Sequence, residues 1–381
     1  MQLRLSLAAA TLISSLALNA EDYVRVQYLQ YDETLNKTSV SAPSIMINKD
    51  FGTDYTLNAN LVFDSVSGAS ETYYDGASGA SAFSRGIGVK AKDIKYANVT
   101  YSDQRSAGGV SLTTRFSNRD ELVLGTNYSA EHDFYSNDIS AEYMHWLDSS
   151  KNSSLSLGLS YQVNEVLVRC EENSACDGES GASEEMSADV FNLQASYFQN
   201  IDSRSYAKIS LFYIKDSGYL SNPYLNVVRN YVANANADVV AELRPDSRSA
   251  YGAMLKYVNA LSGSLSLHLS YRYYQDDWEI DSHTLDSDMF YEFRNDWIFK
   301  VGLRYYTQSE ANFYSGEKDY FSDEVYASSD FRLSNFDAIT YKSNIDYTIS
   351  QKLSINIGAN YYEQSRGVAA TYFTTGFRYN F

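Results

Sequence analysis

Eight basic side chains sit in a repeated setting: Arg115, Lys208, Lys256, Arg272, Lys300, Arg304, Lys342 and Arg378 each alternate with apolar residues. Neighbours in an extended chain point to opposite faces, so a cation set between outward apolar residues points inward. Acids placed the same way are fewer, with Asp64, Glu142, Glu292 and Asp346 the clear ones. If these stretches close into a barrel, the lumen is polar and net basic, and its chemistry is the passage or binding of anions. The competing reading is that the cations pair with inward acids and fill the interior. A barrel of about sixteen strands has room for water, so both readings stay open.

A second chemistry is offered by acidic loops. Glu171, Glu172, Asp177, Glu179, Glu184 and Glu185 crowd one; Asp276, Asp277, Glu279 and Asp281 a second; Glu317, Asp319, Asp323 and Glu324 a third. Clustered carboxylates could take divalent cations through oxygen ligands and bridge them to lipopolysaccharide phosphates. No spacing matches a Ca²⁺-binding loop, and a solvated, mutually repelling surface is the blander reading. Four histidines, His132, His145, His268 and His283, lie on separate elements without cysteine or histidine partners, which argues against a transition-metal site. Glu131-His132-Asp133 is the one cluster where a His with a carboxylate could act as a base, but adjacent strand residues face opposite ways. No Gly-x-Ser-x-Gly elbow and no phosphate-cradling loop occurs. The sequence therefore assigns no catalytic residue, no cofactor and no metal ligand, and an enzyme is not expected. Cys170 and Cys176, the two cysteines, are expected to form a small loop-pinning disulfide, which would stabilise little because the loop it closes is short.

The elements that position these groups are strands. In the last stretch, Phe373, Thr375, Phe377, Tyr379 and Phe381 share one face and Tyr372, Thr374, Gly376, Arg378 and Asn380 the other. That period of two predicts a strand with one apolar face. Its closing aromatics, Phe377, Tyr379 and Phe381, resemble the signal that outer-membrane assembly machinery reads. The same alternation recurs from Asp22 onward, for example Leu155, Leu157, Leu159 and Tyr161, or Leu265, Leu267, Leu269 and Tyr271. The count reaches about sixteen, with short turns and longer loops in alternation. Segments of ten residues or more with tyrosines near their ends fit tilted membrane strands. Ser67 to Arg105, rich in Gly, Ala and Ser, is expected to be a surface loop, in or over which Lys95 to Ser102 could form a strand, and it leaves the strand count open by two. Pro43, unable to donate to a ladder, is expected near a rim.

Composition bounds the rest. The 381 residues include 35 Tyr and 3 Pro and carry a formal charge of −18. No basic patch exists for counterion release, which excludes a nucleic-acid binder. After residue 20 no apolar run approaches the ~18 residues of a spanning helix. A membrane-spanning chain of this kind must be a closed barrel. Residues 1–20 read as a secretory signal peptide: Arg4 is the positive end, Leu5 to Leu18 the apolar core, and Ala20 a small residue at the cut. Residues 21–381 are then one domain.

Three runs carry a resemblance: Asp64-Ser65-Val66-Ser67-Gly68-Ala69-Ser70, Asp103-Gln104-Arg105, and Ser329-Asp330-Phe331-Arg332-Leu333-Ser334. With them most of the mature chain resembles an exported bacterial family called domain of unknown function 3570. The resemblance implies an outer-membrane barrel and no assigned chemistry, so it carries no functional residue to this chain. The resulting expectation is an all-β, transmembrane antiparallel up-and-down barrel in the outer membrane, in contact with its lipid and lipopolysaccharide. It would act as a channel for small solutes, anions among them. The alternative is a surface-exposed binding or scaffold protein, with the barrel as anchor and acidic, Tyr-rich loops as the interaction surface.

Overall fold

A computed structural model describes residues 22–34, 38–75, 85–169, 183–232, 235–294, 296–315 and 324–381. The expected signal peptide and the Cys170–Cys176 disulfide lie outside the described residues. The strands are β1 (Tyr23–Glu33), β2 (Thr38–Phe51), β3 (Tyr55–Asp75), β4 (Gly86–Lys90), β5 (Ile94–Arg115), β6 (Glu121–Ala130), β7 (Phe134–Trp146), β8 (Ser153–Arg169), β9 (Ser183–Asn200), β10 (Ser205–Gly218), β11 (Asn226–Arg229), β12 (Asn236–Ala241), β13 (Ser247–Ala260), β14 (Leu265–Asp276), β15 (Asp281–Phe293), β16 (Trp297–Gln308), β17 (Phe336–Ser350), β18 (Leu353–Gln364) and β19 (Ala369–Asn380). Sixteen of them close into one antiparallel barrel, and β11, β12 and β4 make a separate small sheet. Closure is made by β1 against β19, with Val26 opposite Phe377.

The alternation read from the sequence becomes the two faces of this wall. On β8, Leu155, Leu157 and Leu159 are 49%, 54% and 48% exposed, while the intervening Ser156 and Gly158 face inward. Similar exposed apolar rows recur around the barrel. A continuous apolar belt of that extent is unstable in water and is satisfied by lipid. Closing the barrel pairs every wall strand on both sides, which a membrane demands. Aromatic rings ring the belt: Phe51, Tyr55, Phe116, Tyr143 and Tyr379 toward the short turns, Phe63, Tyr128, Tyr161, Tyr213, Tyr305 and Tyr341 toward the long loops. Tyr55 and Phe63 stand about 26 Å apart along β3, the scale of a ~25 Å apolar band.

Three expectations change. Most of residues 67–105 is strand: β3 continues to Asp75 and β5 begins at Ile94, paired through Asp75↔Ile94. Small residues there do not prevent pairing, because the backbone supplies the ladder. The acidic loop after β8 is shorter than expected, since Val166 to Arg169 pair with Ser183 to Met186. Pro43 lies within β2 opposite Tyr28, and the β2–β3 ladder skips from Ser41↔Ser65 to Ser44↔Val62 around it.

The long loops fold into the mouth. The β3–β5 connection supplies β4 and the β10–β13 connection supplies β11 and β12. Inward residues at this end are accordingly buried: Val66, Val166, Val168, Ala188, Ala250, Ala338 and Ala370. Two apolar clusters form here. Trp278, Ile280, Phe313 and Leu333 pack with Leu220 and Ala188, and Tyr73, Val89, Val228, Ala237 and Val239 pack around the small sheet.

Candidate functional site

Below this cap the inward face of the wall carries the ionisable groups. Register places all eight named cations on it. Arg115, near the turns, lies 3.2 Å from Glu121 and donates to Thr56. Lys208 and Lys256 are direct cross-strand partners. Arg272 lies over the rings of Phe212, at 4.8 Å, and Tyr274, at 5.8 Å. Arg304 is opposite Asp286 across β15–β16. Lys300 is 3.0 Å from Asp288, and Lys342 is 2.6 Å from Asp286 and 2.7 Å from Asp288. Arg378 donates to Asn380 and sits over Tyr23 at 4.1 Å.

The lumen is thus less one-sided than the sequence reading had it. Asp286 and Asp288 are inward acids beyond the four that the sequence makes clear: β15 starts at Asp281, and both alternate with the exposed Leu285 and Met289. Arg25 and Arg105 were also missed as inward cations. Arg25 alternates with Val24 and Val26, so its direction was readable. Arg105 lay in a presumed loop; on β5 it faces Asp64 and pairs with it at 2.8 Å.

On the wall formed by β1 and β16–β19 a polar cavity of about 510 Å³ opens, lined among others by Arg25, Gln27, Lys300, Lys342, Asn344, Asp346, Asn356, Asn360 and Arg378. Opposite it in character is an ion cluster inside the cap. Arg244 donates to Asp330 at 2.8 Å, and its Nε lies 2.7 Å from Glu242, off hydrogen-bond geometry. Arg332 also donates to Asp330, and Ser328 and the Asn222 amide donate to Glu242. Burial disfavours charge on Asp330, but Arg332 and Arg244 outweigh it and hold the carboxyl far below its ordinary range. Burial pushes Glu242 up. Burial also opposes charge on Arg244, but Glu242 and Asp330 outweigh it and raise its pKa, so the guanidinium stays charged.

The remaining expected groups are dispersed or structural. Asp276 is spent on Arg248, the Trp278 and Ile280 amides and Tyr274. It is therefore a structural acceptor, neither a solvated repulsive face nor a free cation ligand. Glu131 and Asp133 do meet a third acid, Asp103, with one oxygen of each within 4.8 Å of the others. Such an oxygen set could hold a hard divalent cation; Asp133 also accepts from Tyr224. His145 binds Asp120 at 2.8 Å, and His283 meets Tyr271 at 2.7 Å; neither joins a metal cluster among the described residues. Glu171, Glu172, Asp177, Glu179, Glu317, Asp319 and Asp323 lie outside the described residues.

A closed sixteen-strand wall with an apolar belt, a polar lumen and loops gathered at one end is an outer-membrane β-barrel. A family model described as protein of unknown function (DUF3570) matches residues 2–376, and the chain belongs to that family. No curated protein matches. Among solved structures, CdiB from Acinetobacter baumannii is similar at TM-score 0.51 and 9% identity, covering 94% of this chain and 60% of that one. A bacterial polysaccharide outer membrane secretin gives TM-score 0.48 at 9% identity, covering 95% and 99%. The CymD monoaromatic hydrocarbon channel gives 0.45 at 6%, covering 96% and 89%. The chain spans about half, 54%, of the ferric enterobactin receptor PfeA from Pseudomonas aeruginosa. At these identities the likeness shows the fold alone. Two of the runs that carry the family resemblance meet as the Asp64–Arg105 pair, and the third supplies Asp330 and Arg332 of the cap cluster.

Proposed function

We propose that this protein is an outer-membrane channel for small polar solutes, with anions preferred, whose outer mouth is closed by a folded cap. The observation that carries the reading is where the loops go. They enter the mouth and pack, and beneath them the wall is hydrophilic and holds a polar cavity. A barrel serving only as an anchor has no use for inward cations distributed along its strands. Anion preference rests on Arg25, Arg272 and Arg304, because Lys300 and Lys342 are already paired with Asp286 and Asp288. The cap cluster around Asp330 holds the closed state: removing one partner of a buried ion pair leaves an uncompensated charge.

Conductance of the refolded protein in a planar bilayer under a salt gradient tests the reading. The wild-type chain is expected to open seldom, and Asp330→Asn to give larger, longer, anion-preferring steps. Silence of both, from protein with normal heat-modifiable mobility, overturns it. The binding-protein alternative has one observation in its favour, the apolar residues Val232, Val325 and Tyr326 exposed on the cap, and silence would leave it as the reading to pursue.

A further inference from the structure

Three wall strands that run toward the mouth repeat one pattern: Arg272-Tyr273-Tyr274 on β14, Arg304-Tyr305-Tyr306 on β16 and Asn360-Tyr361-Tyr362 on β18. Alternation turns the middle tyrosine to the lipid and the first and third residues to the lumen. An interfacial girdle accounts for Tyr273, Tyr305 and Tyr361. It does not account for Tyr274, Tyr306 and Tyr362, which meet no lipid. These inward rings and the two arginines form a belt just below the cap. Arg272, Thr284 and Tyr306 are successive cross-strand partners, as are Arg304, Thr340 and Tyr362. Tyr274 packs against an apolar cluster of the cap. Gln308, the next inward residue after Tyr306, donates to the Arg332 and Ser334 carbonyls.

The belt is not sealed. The three rings are half-buried and both arginines are exposed, and an inward side chain is exposed only where the lumen stays open. The hydroxyls are committed: Tyr274 donates to Asp276 at 2.8 Å, Tyr306 to Gln308 at 2.7 Å and Tyr362 to Gln364 at 3.4 Å. Each acceptor lies two residues nearer the mouth, so ring surface is what remains for the lumen. The charges are not committed. Neither Arg272 nor Arg304 has a carboxylate within ion-pair distance among the described residues, and Asp286, opposite Arg304, is taken by Lys342 at 2.6 Å. Arg272 lies over the rings of Phe212 and Tyr274. Gly252 separates those two rings in the ladder, and a Cβ there would strike the Phe212 ring. A guanidinium with its face on a ring keeps its edge N–H groups for a carboxylate. Ring surface beside guanidinium edges suits a flat apolar body with an anionic end. A sugar would find few partners, because Thr284 and Thr340, the hydroxyls of the two rows, are buried.

From this we infer that the belt is a binding site for aromatic carboxylates, with the ligand's ring against Tyr306 and Tyr362 and its carboxylate on Arg272 and Arg304. The inference rests on the channel reading, whose substrate class it names, but its test is not electrical. Benzoate, acetate, benzamide and glucuronate are titrated calorimetrically into detergent-refolded protein. Benzoate is expected to bind. Acetate lacks the ring, benzamide the charge and glucuronate the flat apolar body, so each should bind roughly tenfold more weakly or worse. Arg272→Gln and Arg304→Gln should each weaken benzoate binding by about the same factor. Arg304→Lys, which keeps the charge and loses the fork, should recover only part of it. Tyr306→Leu, which stays apolar and loses the ring, should weaken it about threefold. No benzoate binding by wild-type protein, or any of the other three binding as tightly, overturns the inference without using any variant. Undiminished benzoate binding by both arginine-to-glutamine variants puts the ligand elsewhere and overturns it as well. A chain that conducts but does not bind benzoate sinks this inference and leaves the channel standing. One that binds it through the two arginines and stays silent does the reverse.

Discussion

The wall and the cap solve opposite solvation problems with one chain. The wall turns its apolar residues outward and keeps its charges inside, in contact with water. The cap does what a water-soluble domain does, burying Trp278, Phe313, Val228 and Val239 and covering an ion cluster with them. Charge pairs that look alike on paper therefore differ in consequence. Lys342 with Asp286 and Asp288 keeps 15%, 23% and 17% side-chain exposure in the lumen, where solvent partly screens a broken pair. Arg244 with Asp330 is almost fully enclosed, at 3% side-chain exposure each, where a broken pair leaves a bare charge in low dielectric.

The sharpest test of that contrast is Asp330→Asn. It should cost the cap about 3–5 kcal/mol, read as faster hydrogen exchange in β11 and β12 and new protease cuts in the loops, with the barrel's gel mobility unchanged. If barrel and cap were lost together, the two regions would be one cooperative unit and the contrast would fail. Glu242→Gln should do less than Asp330→Asn, because burial already disfavours the Glu242 charge. Next in size is the wall. Leu157→Arg, on the lipid face, should cost about 2–4 kcal/mol toward the bilayer midplane. Ser156→Arg, one residue away and inward, should cost little in the same denaturant titration in vesicles. Equal costs would mean the alternation is not a lipid–water boundary. Smaller again, Lys342→Gln should leave folding intact and move ion preference toward cations, because it strips Asp286 and Asp288 of a partner.

The smallest effect belongs to the turn side. Asp120 is buried, which opposes its charge, but His145, Tyr143, the Trp146 amide and Asn118 donate to it and hold its carboxyl far below the ordinary range. A depressed acid contributes stability that is complete above the unfolded pKa, roughly 4, and is lost as pH falls through the folded value. The stability gap between wild-type protein and Asp120→Asn should thus be constant at neutral pH and narrow only in acid. A gap that changes between pH 6 and 8 would overturn that assignment.

Most of the wall was legible in the sequence because its information is local. A period of two needs only neighbours, and it placed Leu155, Leu157 and Leu159 outward and Arg272 and Lys342 inward without knowing which strands meet. The reading failed where a boundary was misjudged: β5 runs through the stretch taken for loop, so Arg105 was missed. Asp286 and Asp288, on a β15 that starts at Asp281, lie beyond the four inward acids that the sequence makes clear. The cap was illegible for a different reason. Its strands are short, β11 and β12 have no long alternation, and one partner of Asp330, Arg244, comes from 86 residues away. Composition announced acidic loops but could not say which acids would be spent on arginines.

What the sequence determined by itself is therefore most of the wall, its alternating strands and its two faces, since side-chain direction follows from backbone geometry one residue at a time. Only the tertiary structure decided that the loops enter the mouth, that Lys342 is neutralised, and that Arg25 stands beside Arg378. Those facts depend on which strands lie side by side once the barrel closes, and closure joins β1 to β19, the first and last strands of the wall.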